Sequence, residues 1–187
     1  MPLIIGLTGQ AGSGKGTVGA YLRDQYGASF LTFSSSLRKT LETLALEPSR
    51  DNMIKLSEAL RTAFGEDVLS RAIARDALAS AAPVVVVDGI RRVDDIITTL
   101  QSLPNFHLVA VEADPRVRYE RLTQRGEKSD ETTMTWEDFL ANEQRSTEQT
   151  IPAVMAQASI HLRNDGTLEE IQQQTDKMMQ RIDPSLS

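Results

Sequence analysis

A chain of 187 residues, 40% hydrophobic and 25% charged, carries enough apolar material for a full globular core and too much for a disordered segment. Its formal charge of −6 disfavours a long nucleic-acid backbone as the main partner, while leaving room for a local basic cleft. The lack of cysteine excludes disulfides, thiolate metal sites and a cysteine nucleophile.

The chain enters strand and loop at once, without a basic leader or cleavage site. The strongest apolar run, Pro83-Val84-Val85-Val86-Val87, is far too short to span a bilayer. A cytoplasmic protein without membrane segments is expected.

Leu3-Ile4-Ile5-Gly6-Leu7 reads as a strand, and it leads into Gly9-Gln10-Ala11-Gly12-Ser13-Gly14-Lys15-Gly16-Thr17. A helix follows, carrying Val18, Tyr21, Leu22 and Tyr26 on one face and stopped by Gly27. Strand, glycine-rich loop and helix together form a phosphate-binding loop. Gly9 and Gly14 let the backbone turn back on itself, so that the N–H groups around Gly12, Ser13 and Gly14 face an anion at the positive end of the helix. Lys15 adds a mobile charge that reaches the β- and γ-phosphates. Gly16 stands where a serine or threonine normally ligates Mg²⁺, and the hydroxyl comes one place later, at Thr17. The cation is therefore expected to be held mainly by waters and phosphate oxygens, with Thr17 and Asp88 as the candidate protein groups.

Phe30-Leu31-Thr32-Phe33 reads as a second strand, and Ser34-Ser35-Ser36-Leu37-Arg38 as a polar turn entering a helix. Here the serines serve as caps or as ligands, and Arg38 faces either solvent or an anion. Residues 47–80 read as two helices, with Met53, Leu56, Leu60 and Phe64 as a packing stripe on the first. Val84-Val85-Val86-Val87-Asp88 is the mark of a strand buried on both faces. A carboxylate at the end of such a strand lies where open α/β sheets place ligands, and Arg91-Arg92 follows directly. Val93, Ile96, Ile97, Leu100 and Leu103 form the next helical face, then His107 to Val111 a strand. His107 and His161 have no partner at metal-ligand spacing and read as strand residues.

Asp114-Pro115 starts a helix on which Arg118, Arg121 and Arg125 share one face, either solvated or engaged with phosphate. Gly126 to Asp130 is a polar break and a candidate hinge. Thr135 to Asp138 resembles a capping box opening a polar helix to about Thr150. Ser159 to Leu162 reads as the fifth strand, Asn164-Asp165-Gly166 as a turn, and Thr167 with Glu170 as a capping box for a final helix. The alternation predicts an α/β three-layer sandwich of the P-loop NTPase class, with a five-stranded parallel sheet and right-handed crossovers. It further predicts one domain with its core at 1–33, 81–117 and 150–187, a helical excursion at 34–80 and a lid-like region at 118–149.

The loop spelling Gly-x-x-Gly-x-Gly-Lys-Gly-Thr is similar to that of adenylate kinase and other nucleoside-monophosphate kinases. Over nearly the whole chain the sequence resembles the adenylate-kinase-related group found widely in archaea, through Asp88-Gly89-Ile90-Arg91, Trp136-Glu137-Asp138-Phe139 and Asn164-Asp165-Gly166-Thr167-Leu168-Glu169-Glu170. The resemblance implies an ATP- and Mg²⁺-dependent kinase acting on a nucleoside or deoxynucleoside monophosphate. It gives Arg38 and one of Arg91 or Arg92 to the acceptor phosphate, Asp88 to the magnesium waters, and Arg121 and Arg125 to a lid. The turn at Asn164 and Gly166 would lie against the donor adenine. Dephospho-coenzyme A kinase is similar too, in Ile5-Gly6-Leu7-Thr8-Gly9, the Arg121…Arg125 spacing and the Asn164–Glu170 run. It carries an acceptor aspartate after the second strand, where this chain has Phe33-Ser34-Ser35-Ser36. A nucleotide-driven assembly factor is the reading from another class, disfavoured by the acidic balance. The acceptor's base and sugar and the oligomeric state are not legible.

Overall fold

The computed structural model describes residues 1–97, 99–125 and 132–186; the side chains of residues 97, 125, 146, 147 and 186 lie outside that description. The strands are β1 (Leu3–Thr8), β2 (Ser29–Thr32), β3 (Val84–Asp88), β4 (Phe106–Glu112) and β5 (Ile160–Arg163). They form one parallel sheet in the order β2-β3-β1-β4-β5. Register places Leu7 opposite Asp88 on one side and Val109 on the other, so β1 is central. β1 is buried at every position and β3 at all but its last, as expected for strands covered on both faces.

Alternation along the strands divides the core. Leu3, Ile5, Leu7, Val84 and Val86 face one layer, packing with Val18 and Leu22 of α1 (Lys15–Tyr26) and Ile171, Met178 and Met179 of the C-terminal helix. Ile4, Val85 and Val87 face the other, packing with Ile73, Ala74 and Ala77 from the excursion and with Ile96, Leu100 and Val154.

The excursion contains α2 (Phe33–Thr43), α3 (Arg50–Phe64) and α4 (Val68–Leu78). Thr32, not the following serines, caps α2 by accepting a hydrogen bond from the Ser35 N–H. The expected packing stripe on α3 is only partly realised. Met53, Leu56 and Leu60 are half-buried, Phe64 is 64% exposed, and Arg61 is the one buried residue of the helix. The reason is position, since α3 lies against α2 and α4 and not on the sheet.

After β3 the helix α5 (Val93–Ile97) is short and gives way to a tight 3₁₀ turn at Leu100–Ser102. α6 (Pro115–Arg125) follows β4. The polar helix expected from 135 to 150 divides into α7 (Trp136–Glu143), opened by the expected Thr135–Asp138 capping box, and α8 (Ser146–Gln149). α9 (Ile151–Met155) leads to β5, and α10 (Leu168–Ile182) begins with the Thr167–Glu170 capping box. His107 lies on β4, and His161, on β5, pairs with Glu112 at 2.6 Å. Because all five strands are parallel, the loops after β1, β3, β4 and β5 gather at one edge of the sheet.

Candidate functional site

The loop after β1 is shaped by its glycines. Gly12 and Gly14 take φ of 77° and 97°. A Cβ on Gly14 would collide with the Asn164 amide nitrogen, and one on Gly12 would come 2.6 Å from the Arg118 carbonyl oxygen. The loop therefore fits against backbone and side chains from distant parts of the chain. Asn164 is 5% exposed and donates from Nδ2 to the Ser13 carbonyl at 2.9 Å. Gly16 is different, because a Cβ there meets nothing within 4 Å.

Lys15 folds back over the loop and donates to the Gly9 and Gln10 carbonyls at 2.5 and 3.1 Å. Burial lowers its pKa from 10.5 to about 8. The Asp88 and Glu148 carboxylates oppose that shift, and the Arg91 and Arg118 charges add to it. Among the described residues, three buried side-chain oxygens lack a hydrogen-bond partner: Ser13 Oγ, Asp88 Oδ1 and Glu148 Oε2. One lies in the loop, and the other two act on its lysine.

The segment after β3 is pinned by Thr8, whose hydroxyl donates to the Ile90 carbonyl at 3.1 Å. The two adjacent arginines diverge from it. Arg91 lines the cleft above the loop and pairs with Glu148 at 2.5 Å. Arg92 turns towards the excursion and pairs with Glu66 and, at 3.7 Å, with Asp94. Nearby, Arg61 and Asp95 form a buried ion pair at 3.3 Å, and Arg61 also donates to the Glu66 carbonyl. Desolvation raises the Asp95 pKa against the opposing pull of Arg61. Arg38 is exposed on α2 and does not line the cleft.

On α6, Arg118 and Arg121, which the helical spacing puts on one face, meet different surroundings. Arg118 is 2% exposed, and its guanidinium is occupied by Glu143 at 2.7 and 3.1 Å and by the Ala113 and Ala11 carbonyls. Glu143 also accepts from Gln10 at 2.8 Å, tying α7 to the phosphate loop. Arg121 lines the cleft and donates to the Asn164 carbonyl at 2.7 Å. The Arg125 side chain and the hinge expected at 126–130 lie outside the described residues.

These groups surround an open cleft of about 1080 Å³. The structure brings Gly12, Gly14, Lys15, Gly16 and Thr17 to it, with Asp88, Arg91 and Arg121 from three other segments. It extends along α1 and α10 past Tyr21, Leu168 and Gln172. Gly9, Ser13, Asn164 and Gly166 do not line it; Gly9 and Ser13 belong to the loop, Asn164 braces it, and Gly166 lies against the Glu170 carboxylate.

Over 184 residues the chain is 31% identical to the UPF0200 protein of Thermococcus kodakarensis, covering 96% of this chain and 98% of the relative. The chain belongs to the UPF0200 family. The UPF0200 protein of Sulfurisphaera tokodaii is likewise 31% identical, over 179 residues, covering 96% of this chain and 97% of that protein. A family model described as an AAA domain matches residues 8–139, and this UPF0200 member belongs to that family as well. Solved structures share its fold. TT1252 from Thermus thermophilus superposes with a TM-score of 0.62 at 22% identity, covering 96% of this chain and 97% of that one. A gluconokinase from Sinorhizobium meliloti gives 0.58 at 20% identity, with 99% and 95% covered. The shikimate kinase of Aquifex aeolicus gives 0.56 at 16%, with 97% and 99% covered.

The UPF0200 fold implies nucleotide binding at the loop, and the residues fit an ATP carrying a divalent cation. The glycine cradle admits no Cβ at Gly14, Lys15 sits at its rim, and Asp88 lines the same cleft and has a buried oxygen without a partner. Among the described residues, no group of three or more His, Asp or Glu could hold a metal ion by itself. No described helix is long and apolar enough to cross a membrane. Sequence reasoning missed Gln10, Glu143 and Glu148. Glu143 and Glu148 sit in a polar helical stretch and meet their arginines across 25 and 57 residues, which leaves no local pattern to read.

Proposed function

We propose that this UPF0200 protein is an ATP-dependent phosphotransferase that passes the γ-phosphoryl group to a nucleoside or deoxynucleoside monophosphate. The observation that carries the reading is the meeting of Lys15, Asp88, Arg91 and Arg121 in one open cleft. Its volume of about 1080 Å³ stands at the upper end of the ~300–1,000 Å³ of small-ligand pockets, ample for a nucleotide.

Phosphoryl transfer asks the protein mainly for alignment and for positive charge around a loose transition state. When bound, ATP with Mg²⁺ supplies the transferable group and most of the metal charge. The loop N–H groups hold the polyphosphate at the head of α1. Lys15 exchanges its Gly9 and Gln10 carbonyl partners for phosphate oxygens, and the anion restores the charged state that burial disfavours. Asp88 and Thr17 face the cation side. Arg91 offers its outward N–H groups to the acceptor phosphate, because a planar fork grips phosphate bidentately. Arg121, fixed by Asn164, bears on the donor. A phosphate acceptor is already anionic at neutral pH, so no strong side-chain base is required.

The test is an assay of the purified protein with labelled ATP and Mg²⁺ against a panel of ribo- and deoxyribonucleoside monophosphates and dephospho-coenzyme A. A diphosphate product from one or more monophosphates is expected. Labelled coenzyme A alone would move the protein to the other small-molecule kinase class. Fast ATP hydrolysis indifferent to every acceptor would favour the assembly-factor reading.

A further inference from the structure

The cleft continues beyond the groups that the proposed reaction uses. Lys15, Asp88 and Arg91 stand at one end, where Lys15 would meet the β- and γ-phosphates. The remainder runs between α1 and α10, and the nucleoside of a bound triphosphate would point into it. The turn at Asn164 and Gly166, which the resemblance gives to the donor base, does not line the cleft. Asn164 is spent on the Ser13 carbonyl, and Gly166 lies against Glu170. A base in this cleft therefore needs other partners.

α10 supplies them. Leu168, Gln172 and Asp176 recur at i, i+4 and i+8, so they share the face of α10 turned to α1. Asp176 accepts from the Tyr21 hydroxyl at 2.9 Å on both oxygens and from the Tyr26 hydroxyl at 2.7 Å. The Tyr21 ring is thereby fixed as a wall of the cleft, with its own polar group engaged. Leu168, 53% exposed, brings apolar surface to the same space. Between Leu168 and Asp176 stands Gln172, half-buried and lining the cleft. Among the described residues its amide has no hydrogen-bond partner. Nearby polar groups are committed, Asp24 to Arg23 and Arg121 to Asn164, while Gln25 stands exposed at the far end of α1. A side-chain amide sets a donor and an acceptor side by side in one plane. Adenine offers the complement, an N6 amino group beside a ring-nitrogen acceptor.

Resting on the nucleotide-binding reading above, we propose that Gln172 selects the base of the donor nucleotide. Its Oε1 accepts from the adenine N6 amino group and its Nε2 donates to the adjacent ring nitrogen, while the ring lies on Leu168 beside the Tyr21 wall. Donor selectivity is thus written in a side chain of α10 and not in the turn that precedes the helix.

The test measures binding by calorimetry in excess Mg²⁺, without acceptor. The probes are the β,γ-imido triphosphates of adenosine, of guanosine and of purine riboside, which lacks the N6 amino group, with inorganic tripolyphosphate as the probe without a base. The wild type should prefer the adenosine analogue over that of purine riboside about 10-fold, within the range for a bidentate amide–base pair. Gln172→Leu should bring that ratio near one and leave tripolyphosphate affinity unchanged, an outcome that a merely structural role would not produce. Gln172→Asn, whose amide stops one carbon short, should also lower the ratio, and it takes the place of the leucine variant should that variant not fold. A ratio that survives the substitution would overturn the proposal. So would equal weakening of tripolyphosphate and of the adenosine analogue, or tighter wild-type binding of the guanosine analogue. Failure of the wild type to bind any of the four probes would overturn the nucleotide reading itself. Wild-type binding of all three nucleoside analogues alike would remove only the base selection by Gln172.

Discussion

The phosphate loop and the helical excursion, proposed as the donor and acceptor ends of the site, are built to different standards. At the donor end, the loop after β1 is braced by Asn164, by the Arg118 backbone and by the Glu143–Gln10 contact, and α1 and α10 pack directly on the sheet. At the proposed acceptor end, whose helices do not line the cleft, α3 has Arg61 as its one buried residue, Arg38 stands exposed, and Leu44, Leu46, Ile54 and Phe64 face solvent. The lesson concerns where packing energy goes. A polyphosphate site made of backbone N–H groups must be preorganised, because its donors cannot adjust individually. A site that admits and releases an acceptor is drawn from the less buried part of the molecule.

The largest effect should come from breaking the donor end. Lys15→Ala is expected to lower kcat by about 10²–10³ with an unchanged thermal melt; wild-type turnover would remove the loop from the reaction. Next comes the division of labour on α6. Arg118→Ala leaves Glu143 without its buried partner and should cost about 3–5 kcal/mol in denaturant unfolding. Arg121→Ala should leave the unfolding midpoint nearly in place and lower kcat. A reversal of those two outcomes would restore Arg118 to the phosphates.

At the acceptor end, Arg91→Ala should raise the acceptor KM about 10-fold or more with little change in the ATP KM, as for loss of a charged hydrogen bond. Arg92→Ala should change it far less, since its partners are exposed acids. A bisubstrate analogue should protect α2 and α3 from hydrogen exchange beyond the protection given by ATP alone, while the loop and α1 respond alike to both. Equal protection everywhere would mean that the two ends are equally preformed.

The smallest effect is a proton. Near pH 8.5 the free protein carries Lys15 partly neutral, because its pKa is lowered to about 8. Phosphate binding favours the charged form, so nucleotide binding should take up as much as about one proton. Calorimetry in buffers of differing ionisation enthalpy would read it, and Lys15→Arg should abolish it. In the ligand-free protein the same group has a folded pKa below its ordinary 10.5. The unfolded chain then binds more protons between those values, and this group's contribution to stability rises as the pH climbs from about 8 towards 10.5.

The frame was legible because its signals are local. The Val84–Val87 run, the glycine spacing at 9–14 and the two capping boxes each declare themselves within a few residues. The different surroundings of Arg91 and Arg92 were not, because neighbouring side chains on an irregular loop diverge according to their partners, here Glu148 and Glu66. Arg118 misled for a related reason: helical spacing groups side chains on a face without saying whether that face is wet. Its 2% exposure depends on α7, which arrives from beyond residue 131. The stripe on α3 had the right period, but periodicity does not reveal whether the opposing surface is a sheet or two neighbouring helices.

The contact between Asn164 and the loop also bears on how the molecule is made. The space denied to a Cβ at Gly14 is filled by a side chain 150 residues further along, which also supplies the Ser13 carbonyl with its donor. During synthesis the glycine-rich loop leaves the ribosome 150 residues ahead of its brace. A nascent chain halted before β5 would hold the loop's sequence without its shape. Competence to bind nucleotide should therefore arise only once β5 and Asn164 are made, so that ligand capture by stalled chains of increasing length would mark the moment when the loop and its brace meet.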